Sequence, residues 1–249
     1  MPSNNILSID VIGTPSEVTP ERVEGRSVAV IDVFRATSAI TTAMENGTAR
    51  IIPMVGIDEC FDLRYDLKAE NPDAKILLGG ERGKVLIEGF DLDNSPYSYT
   101  PEKVNGATII MSTTNGTRAI DRSGAASALF IASMLNATAV CRELAALGRD
   151  IVLVCSGRED RFSTEDGLCA GLMACILSDF GMGYNLTDFA WVMSRMYINN
   201  RDDLKRPLES SLHYNDLMAE GFDVDVAYCL QQDIFKSVPK VNHNGEIVL

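Results

Sequence analysis

The segment Ser27-Val-Ala-Val-Ile-Asp32-Val-Phe-Arg35-Ala-Thr37-Ser-Ala-Ile40 passes from an unbroken β-branched apolar run to a charged loop, then to a helical stretch that extends to Glu45 and stops at Asn46-Gly47. A short run with no polar alternation suits a strand buried on both faces of a largely parallel sheet. Asn-Gly is a helix stop, because both residues tolerate the left-handed conformation a helix end requires. Similar apolar runs recur at Ile51 to Val55, Thr108 to Met111 and Ile151 to Cys155, with helical stretches between them. Alternation of strand and helix predicts an α/β architecture: a layered mixed or mostly parallel sheet with helices on both faces.

Working outward, Ala107-Thr-Ile-Ile-Met-Ser112-Thr-Thr-Asn-Gly-Thr117-Arg-Ala-Ile120 repeats the order strand, polar loop, Thr-x-Ala-Ile at an offset of 80, which places Asp32 on Ser112 and Thr37 on Thr117. This echo raises the expectation of a duplicated βαβ-type unit, a single domain over 1–249 with related halves of about 1–105 and 106–249, against chance similarity of two βαβ units. In either case both loops lie at strand C-termini before helices, where open α/β sheets bind ligands and helix N-termini favour anions. The stretch Gly79 to Pro101, rich in Gly, Asp, Asn, Ser and Pro, reads as a long functional loop.

The chain has 35 acidic and 22 basic residues among 249, a net charge of −13. Without a basic run that field repels nucleic acid and anionic membranes, and an anionic small molecule needs local arginines or a metal. Scattered cysteines without zinc spacing fit reduced core residues of a cytoplasmic protein. A basic leader and a membrane-length apolar window are both missing from the sequence.

Four loops carry chemistry. Asp32 and Arg35 emerge from an apolar strand, which is costly unless they meet each other or a ligand. Arg35 is a candidate forked anion donor, and Asp32 faces a metal or a phosphorus centre. In Gly79-Gly-Glu81-Arg82-Gly83 an acid/base pair is framed by glycines, as in a ligand loop or a solvated turn, and Asn94-Ser95-Pro96 closes the same stretch. Ser112-Thr113-Thr114-Asn115-Gly116-Thr117 holds more polar side chains than one helix cap uses, so it reads as an anion cradle with Arg118 at its edge. The stretch Ser156-Gly-Arg158-Glu-Asp-Arg161-Phe-Ser163-Thr-Glu165-Asp166 can bind both an anion and a hard cation. All-oxygen donors point to Mg2+ rather than zinc, with a Ser163–Asp166 capping box as the competing reading. The candidate metal or acid/base carboxylates are therefore Asp32, Glu81, Glu165 and Asp166.

Exclusions narrow the chemistry. Only His213 and His243 exist, and in sequence neither lies beside the arginine loops, which argues against phosphohistidine. Phe34 stands where a paired-aspartate phosphatase needs its second aspartate, and no Cys-x5-Arg loop occurs.

On SVAVIDVFRATSAITTAMENGTARIIP, LLGGERG with GFDLDNSP, ATIIMSTTNGTRAI and SGREDRFSTEDGLCAG, the chain resembles the 2-phosphosulfolactate phosphatase family over nearly its whole length. The resemblance implies Mg2+-dependent hydrolysis of 2-phospho-3-sulfolactate to 3-sulfolactate and phosphate, a step on a route to coenzyme M. Lys84 departs from the small residue expected after Gly83. Direct attack by water and transfer to Asp32 are both chemically open. The alternatives are a phosphatase of another small phospho-acid, an isomerase or lyase using the same clamp, and a non-catalytic anion sensor. The expected partners are a small anionic phosphoester and further copies of the chain in a homo-oligomer such as a dimer.

Overall fold

Each apolar run becomes a strand of one eleven-stranded sheet in the computed structural model, which describes residues 7–181 and 183–249. The strands are β1 (Ser8–Ile12), β2 (Ser27–Ile31), β3 (Arg50–Pro53), β4 (Ile76–Arg82), β5 (Val85–Leu86), β6 (Thr108–Ser112), β7 (Ala128–Ala132), β8 (Ile151–Cys155), β9 (Asn185–Leu186), β10 (Lys240–Val241) and β11 (Ile247–Val248), in the order β5-β4-β6-β3-β11-β10-β7-β2-β8-β1-β9. The run β7-β2-β8-β1-β9 is parallel, as is β4-β6-β3. The antiparallel hairpin β10–β11 joins the two blocks. Pairing crosses the proposed boundary near residue 105: β2 lies between β7 and β8, and β6 between β3 and β4.

The unbroken hydrophobicity of β2 follows from burial on both faces. Ala29 and Ile31 join the core under helices Ala137–Ala146 and Thr164–Asp179, while Val28 and Val30 join the core under helices Ala36–Glu45 and Gly116–Arg122. That second core also takes Ile51, Ile109 and Met111 from the β4-β6-β3 block, so the sheet curls until both blocks face the same helices. The curl brings the loops after β2 and β6 into contact although five pairings separate those strands in the sheet.

The expected loop from Gly79 is corrected: Gly79 to Arg82 continue β4, and a turn at Gly83-Lys84 leads into β5. Gly80 is required there, because its φ is +138° and a Cβ would lie 1.9 Å from the Ser112 carbonyl of β6. Glycines that read as loop residues are thus where two strands approach too closely for a side chain. Among the described residues no helix is long and apolar enough to cross a membrane.

Candidate active site

The C-terminal ends of β2, β4, β6 and β8 converge on an open cleft lined by Asp32, Arg35, Glu81, Asn94, Thr114 and Arg158, with Lys84, Asn115, Glu159 and His213 also on its wall. Asp32 follows directly on β2, and its loop is closed by Thr37. The Asp32 N–H donates to Thr37 Oγ1 at 2.9 Å, and that hydroxyl donates to the Asp32 carbonyl at 2.8 Å. In the loop after β6, Thr117 N–H donates to Thr113 Oγ1 at 3.1 Å, and the Thr117 hydroxyl donates to the Thr113 carbonyl at 2.8 Å. Thr37, Thr113 and Thr117 therefore staple the loops rather than face the cleft, and of the expected cradle only Thr114 and Asn115 line it. Gly116 is the point of closest approach: a Cβ there would lie 2.9 Å from Asp32 Oδ2 and 2.7 Å from Ala36 Cβ. Gly116→Ala is accordingly expected to cost about 1–3 kcal/mol of stability and to displace Asp32. Thermal melts and phosphate-release kinetics check both effects, and a stable, fully active alanine variant would contradict them.

Glu81 joins two loops, with Oε1 accepting from Thr114 N–H at 2.8 Å and Oε2 from Lys84 N–H at 2.7 Å. Asp166 does the same on the other side. Its Oδ1 accepts from Val33 N–H at 2.8 Å and its Oδ2 from Gly157 N–H at 2.9 Å. The capping-box reading of Asp166 is thereby corrected: among the described residues Ser163 makes no side-chain cap bond, and Asp166 ties the β2 loop to the β8 loop. Glu165, 1% exposed, has Oε1 2.6 Å from His213 Nδ1 and an Oε2 without a partner among the described residues.

Burial, and then the neighbouring Asp166 carboxylate, raise the Asp32 pKa well above the usual carboxylate range; Glu81 and Glu165 add to the shift. Asp166 is pushed up to about 7 by burial and then by Glu165, against the pull of the Val33 and Gly157 amides. Negative charge is therefore held under strain here, the condition in which a cation or a proton is gained readily.

Opposite the carboxylates stand the cations. Arg35, 2% exposed, donates from Nη1 to Asp225 Oδ2 at 2.5 Å and from Nη2 to the Lys84 carbonyl at 3.3 Å, with its guanidinium 4.1 Å from the Phe222 ring centroid. The Asp32–Arg35 ion pair considered from sequence is replaced by this pairing with Asp225, whose other oxygen accepts from Ser95 Oγ at 2.7 Å. The Phe34–Arg35 peptide is cis. Arg158 Nη1 lies 2.6 Å from Asp216 Oδ2.

Other expected anion clamps turn elsewhere. Arg82 donates to the Val55 carbonyl and to Ser112 Oγ and so braces the wall behind the cleft. Arg118 grips Asp160 at 3.1 and 3.2 Å, and Arg161 lines a neighbouring cavity with Phe162, Ser163 and Leu212. Ser156, fully buried, anchors its loop through its N–H to the Ile31 carbonyl at 2.7 Å.

The view of His213 as remote from the arginine loops is also corrected, since it lines the cleft beside Arg158. Sequence reasoning missed the whole segment that carries His213, Asp216, Glu220 and Asp225. One signal was available: Asp225 falls with Val226 and Cys229 on the buried side of helix Asp223–Cys229, an acid on an apolar face that needs a partner.

The donors around the carboxylates suit a hard cation. Unpartnered among the described residues are Glu165 Oε2 and Asn94 Oδ1, with the hydroxyls of Thr114 and Ser156 in the surrounding loops, and every one of these donors is oxygen. Among the described residues no group of three His, Cys, Asp or Glu converges as a ready-made metal cage. Mg2+ does not demand one, because it is commonly held by one or two carboxylates together with substrate phosphate and water.

A multi-loop cleft that sets buried carboxylates against arginines at the strand ends of an α/β sheet has the make-up of a site for a phosphoryl-bearing anion. Residues 12–244 match the sequence model of the 2-phosphosulpholactate phosphatase family. Similar proteins, each named "Probable 2-phosphosulfolactate phosphatase", occur in Clostridium acetobutylicum, 39% identical over 97% of this chain and 100% of the relative, and in Symbiobacterium thermophilum, 40% identical over 92% and 96%. A third, from Clostridium beijerinckii, is 37% identical over 94% of this chain and 96% of its own. The chain belongs to the 2-phosphosulfolactate phosphatase family, a family of phosphoric monoester hydrolases.

Proposed function

We propose that this enzyme hydrolyses 2-phospho-3-sulfolactate to 3-sulfolactate and phosphate with Mg2+ as cofactor, in the cytoplasm, as a step on a route to coenzyme M. The observation that carries the reading is the meeting, in one small cleft, of Asp32 and Glu81 with Arg35, Lys84 and Arg158. A substrate bearing phosphate, carboxylate and sulfonate calls for several separate cations, and the chain's net charge of −13 means that only local ones can supply them.

Arg35 is buried and held by Asp225, so its guanidinium is oriented before the substrate arrives; a fixed donor stabilises charge developing on a transferred phosphoryl group. Asp32 and Glu81, with Asn94 Oδ1, all of which line the cleft, are the groups that would hold Mg2+. Bound there, the ion would neutralise the carboxylates and polarise a phosphoryl oxygen. Asp166 and Gly116 fix the position of Asp32 rather than meet the substrate. His213, braced by Glu165, stands at the cleft wall, where it can carry a proton to the departing alkoxide oxygen.

Inorganic phosphate release from a panel of 2-phospho-acids, with and without EDTA, tests the reading. The expected result is release that is greatest for the sulfonate-bearing substrate, lost on chelation and restored by Mg2+. Release insensitive to EDTA overturns the metal assignment, and no release from any member overturns the activity. Free thiols at Cys60, Cys141, Cys155, Cys169, Cys175 and Cys229 support the reducing compartment.

A further inference from the structure

We propose that Lys84 and Arg158 form a second anion subsite on the rim of the cleft, one that binds the sulfonate of the substrate and from which that group displaces the Asp216 carboxylate. The proposal rests on the reading of this cleft as the phosphoester site.

Three cations line the cleft, and each is met by an acid from the segment between His213 and Cys229: Arg35 by Asp225, Lys84 by Glu220 and Arg158 by Asp216. The three pairs differ in depth. The Arg35 and Asp225 side chains are 2% and 8% exposed, so that pair is part of the permanent structure. The Lys84 and Arg158 side chains are 22% and 27% exposed, and their partners Glu220 and Asp216 are 44% and 42% exposed. Exposed ion pairs are weak and readily exchanged, whereas a buried pair is not.

The two rim cations also converge. Asp216 Oδ2 lies 2.6 Å from Arg158 Nη1 and 4.0 Å from Lys84 Nζ, so a single carboxylate oxygen is shared by cations from the β8 loop and the β4–β5 turn. Arg158's hydrogen bond and charge, followed by Lys84 and His213, hold the Asp216 carboxyl below its usual range, so its anionic form is the one bound there. A place that holds one anionic oxygen between two cations suits a sulfonate, which offers three weakly basic oxygens and stays ionised at every physiological pH.

Position supports the same assignment. The Lys84 backbone is held by Glu81 through its N–H and by Arg35 through its carbonyl, with φ at +72°. The turn that presents the lysine is thus tied to both sides of the deep site, and its side chain reaches outward from there. A small acid with its phosphate at Arg35 and Asp32 can extend its distal charge to Lys84 and Arg158. The residue that departs from the small one expected after Gly83 thereby gains a role.

Calorimetric binding of 3-sulfolactate and of lactate, which lacks the sulfonate, tests the subsite without requiring turnover. Lys84→Gln and Arg158→Gln are each expected to lower the preference for 3-sulfolactate over lactate at least tenfold, and Asp216→Asn to raise it severalfold by removing the competing carboxylate. Thermal melts confirm that the variants remain folded. An unchanged preference in both glutamine variants overturns the proposal, as does a wild-type enzyme that binds the two acids alike. Kinetics separate this outcome from the activity reading. Phosphate release with an unchanged preference removes the subsite alone, while binding through Lys84 and Arg158 without phosphate release removes the catalytic reading and leaves the subsite standing.

Discussion

Replacing Asp32 with asparagine is expected to lower turnover by about 10²–10⁴-fold, the range for a positioned proton-transfer or charge-bearing group, and at the same time to stabilise the protein above neutral pH. The two effects share one cause. Asp32 is buried among Asp166, Glu81 and Glu165, and its ionised form is disfavoured by lost hydration first and by Asp166 second. A carboxyl with a raised folded-state pKa binds more protons in the folded than in the unfolded chain. Stability is therefore fullest below the ordinary value of about 3.9 and falls as pH rises through the folded value. For Asp166 that window closes at about 7. An asparagine at position 32 removes one of the repelling charges while keeping the shape that fits beneath Gly116.

The stability gain should thus be absent near pH 4 and grow with rising pH. A gain of at least ~1 kcal/mol corresponds to about 2–4 °C in Tm for a chain of this size. Added Mg2+ should raise the wild-type Tm more than that of the variant, because the ion relieves the same repulsion. Melting curves at several pH values, with and without Mg2+, check each part. A variant that is less stable than wild type at pH 8 would show that Asp32 is a structural anchor and not a strained functional group.

Legibility in the sequence followed the range of the interactions. β2, β6 and β8 were readable because burial on both faces leaves a local signature, an apolar run of β-branched residues, and β3 was readable from its apolar run although Ile51 alone of its four residues is buried. The Gly79–Arg82 continuation of β4 was not, since its glycines reflect the approach of Ser112 from another strand. The same division holds in the site. Asp32, Arg35, Thr114 and Arg158 announced themselves as polar groups after strand ends, and Glu81 and Asn94 as polar members of a glycine-rich stretch read as a loop; all six line the cleft. Which of the polar residues face inward was decided by hydrogen bonds no spacing reveals: Thr117 turns to Thr113, Arg82 to Val55, and Asp166 to two loops at once. Asp225 and His213 lie 190 and 48 residues from their partners Arg35 and Glu165, so only the folded chain pairs them.

Arg35→Lys, finally, is expected to lower kcat/KM by roughly 10²–10³-fold, as for loss of one transition-state donor, although the charge is retained. The native arginine is fixed at three points: Asp225 at Nη1, the Lys84 carbonyl at Nη2 and the Phe222 ring against its face. An ammonium cannot occupy these together, because it is a compact point charge without a planar fork. The lysine that satisfies Asp225 gives up the other contacts and leaves the phosphoryl oxygens with a mobile donor. Some stability is lost as well, and the Asp225→Ala variant separates that loss from the catalytic one. Removing Asp225 strands a buried guanidinium and is expected to cost about 3–5 kcal/mol, so it should lower Tm further than Arg35→Lys does. If activity simply tracked stability, Asp225→Ala, assayed at a temperature where circular dichroism shows both variants folded, would be the less active of the two. The opposite order is expected, with Arg35→Lys the less active and the more stable. A lysine variant that is folded and fully active would remove Arg35 from the chemistry and leave it as the buried partner of Asp225.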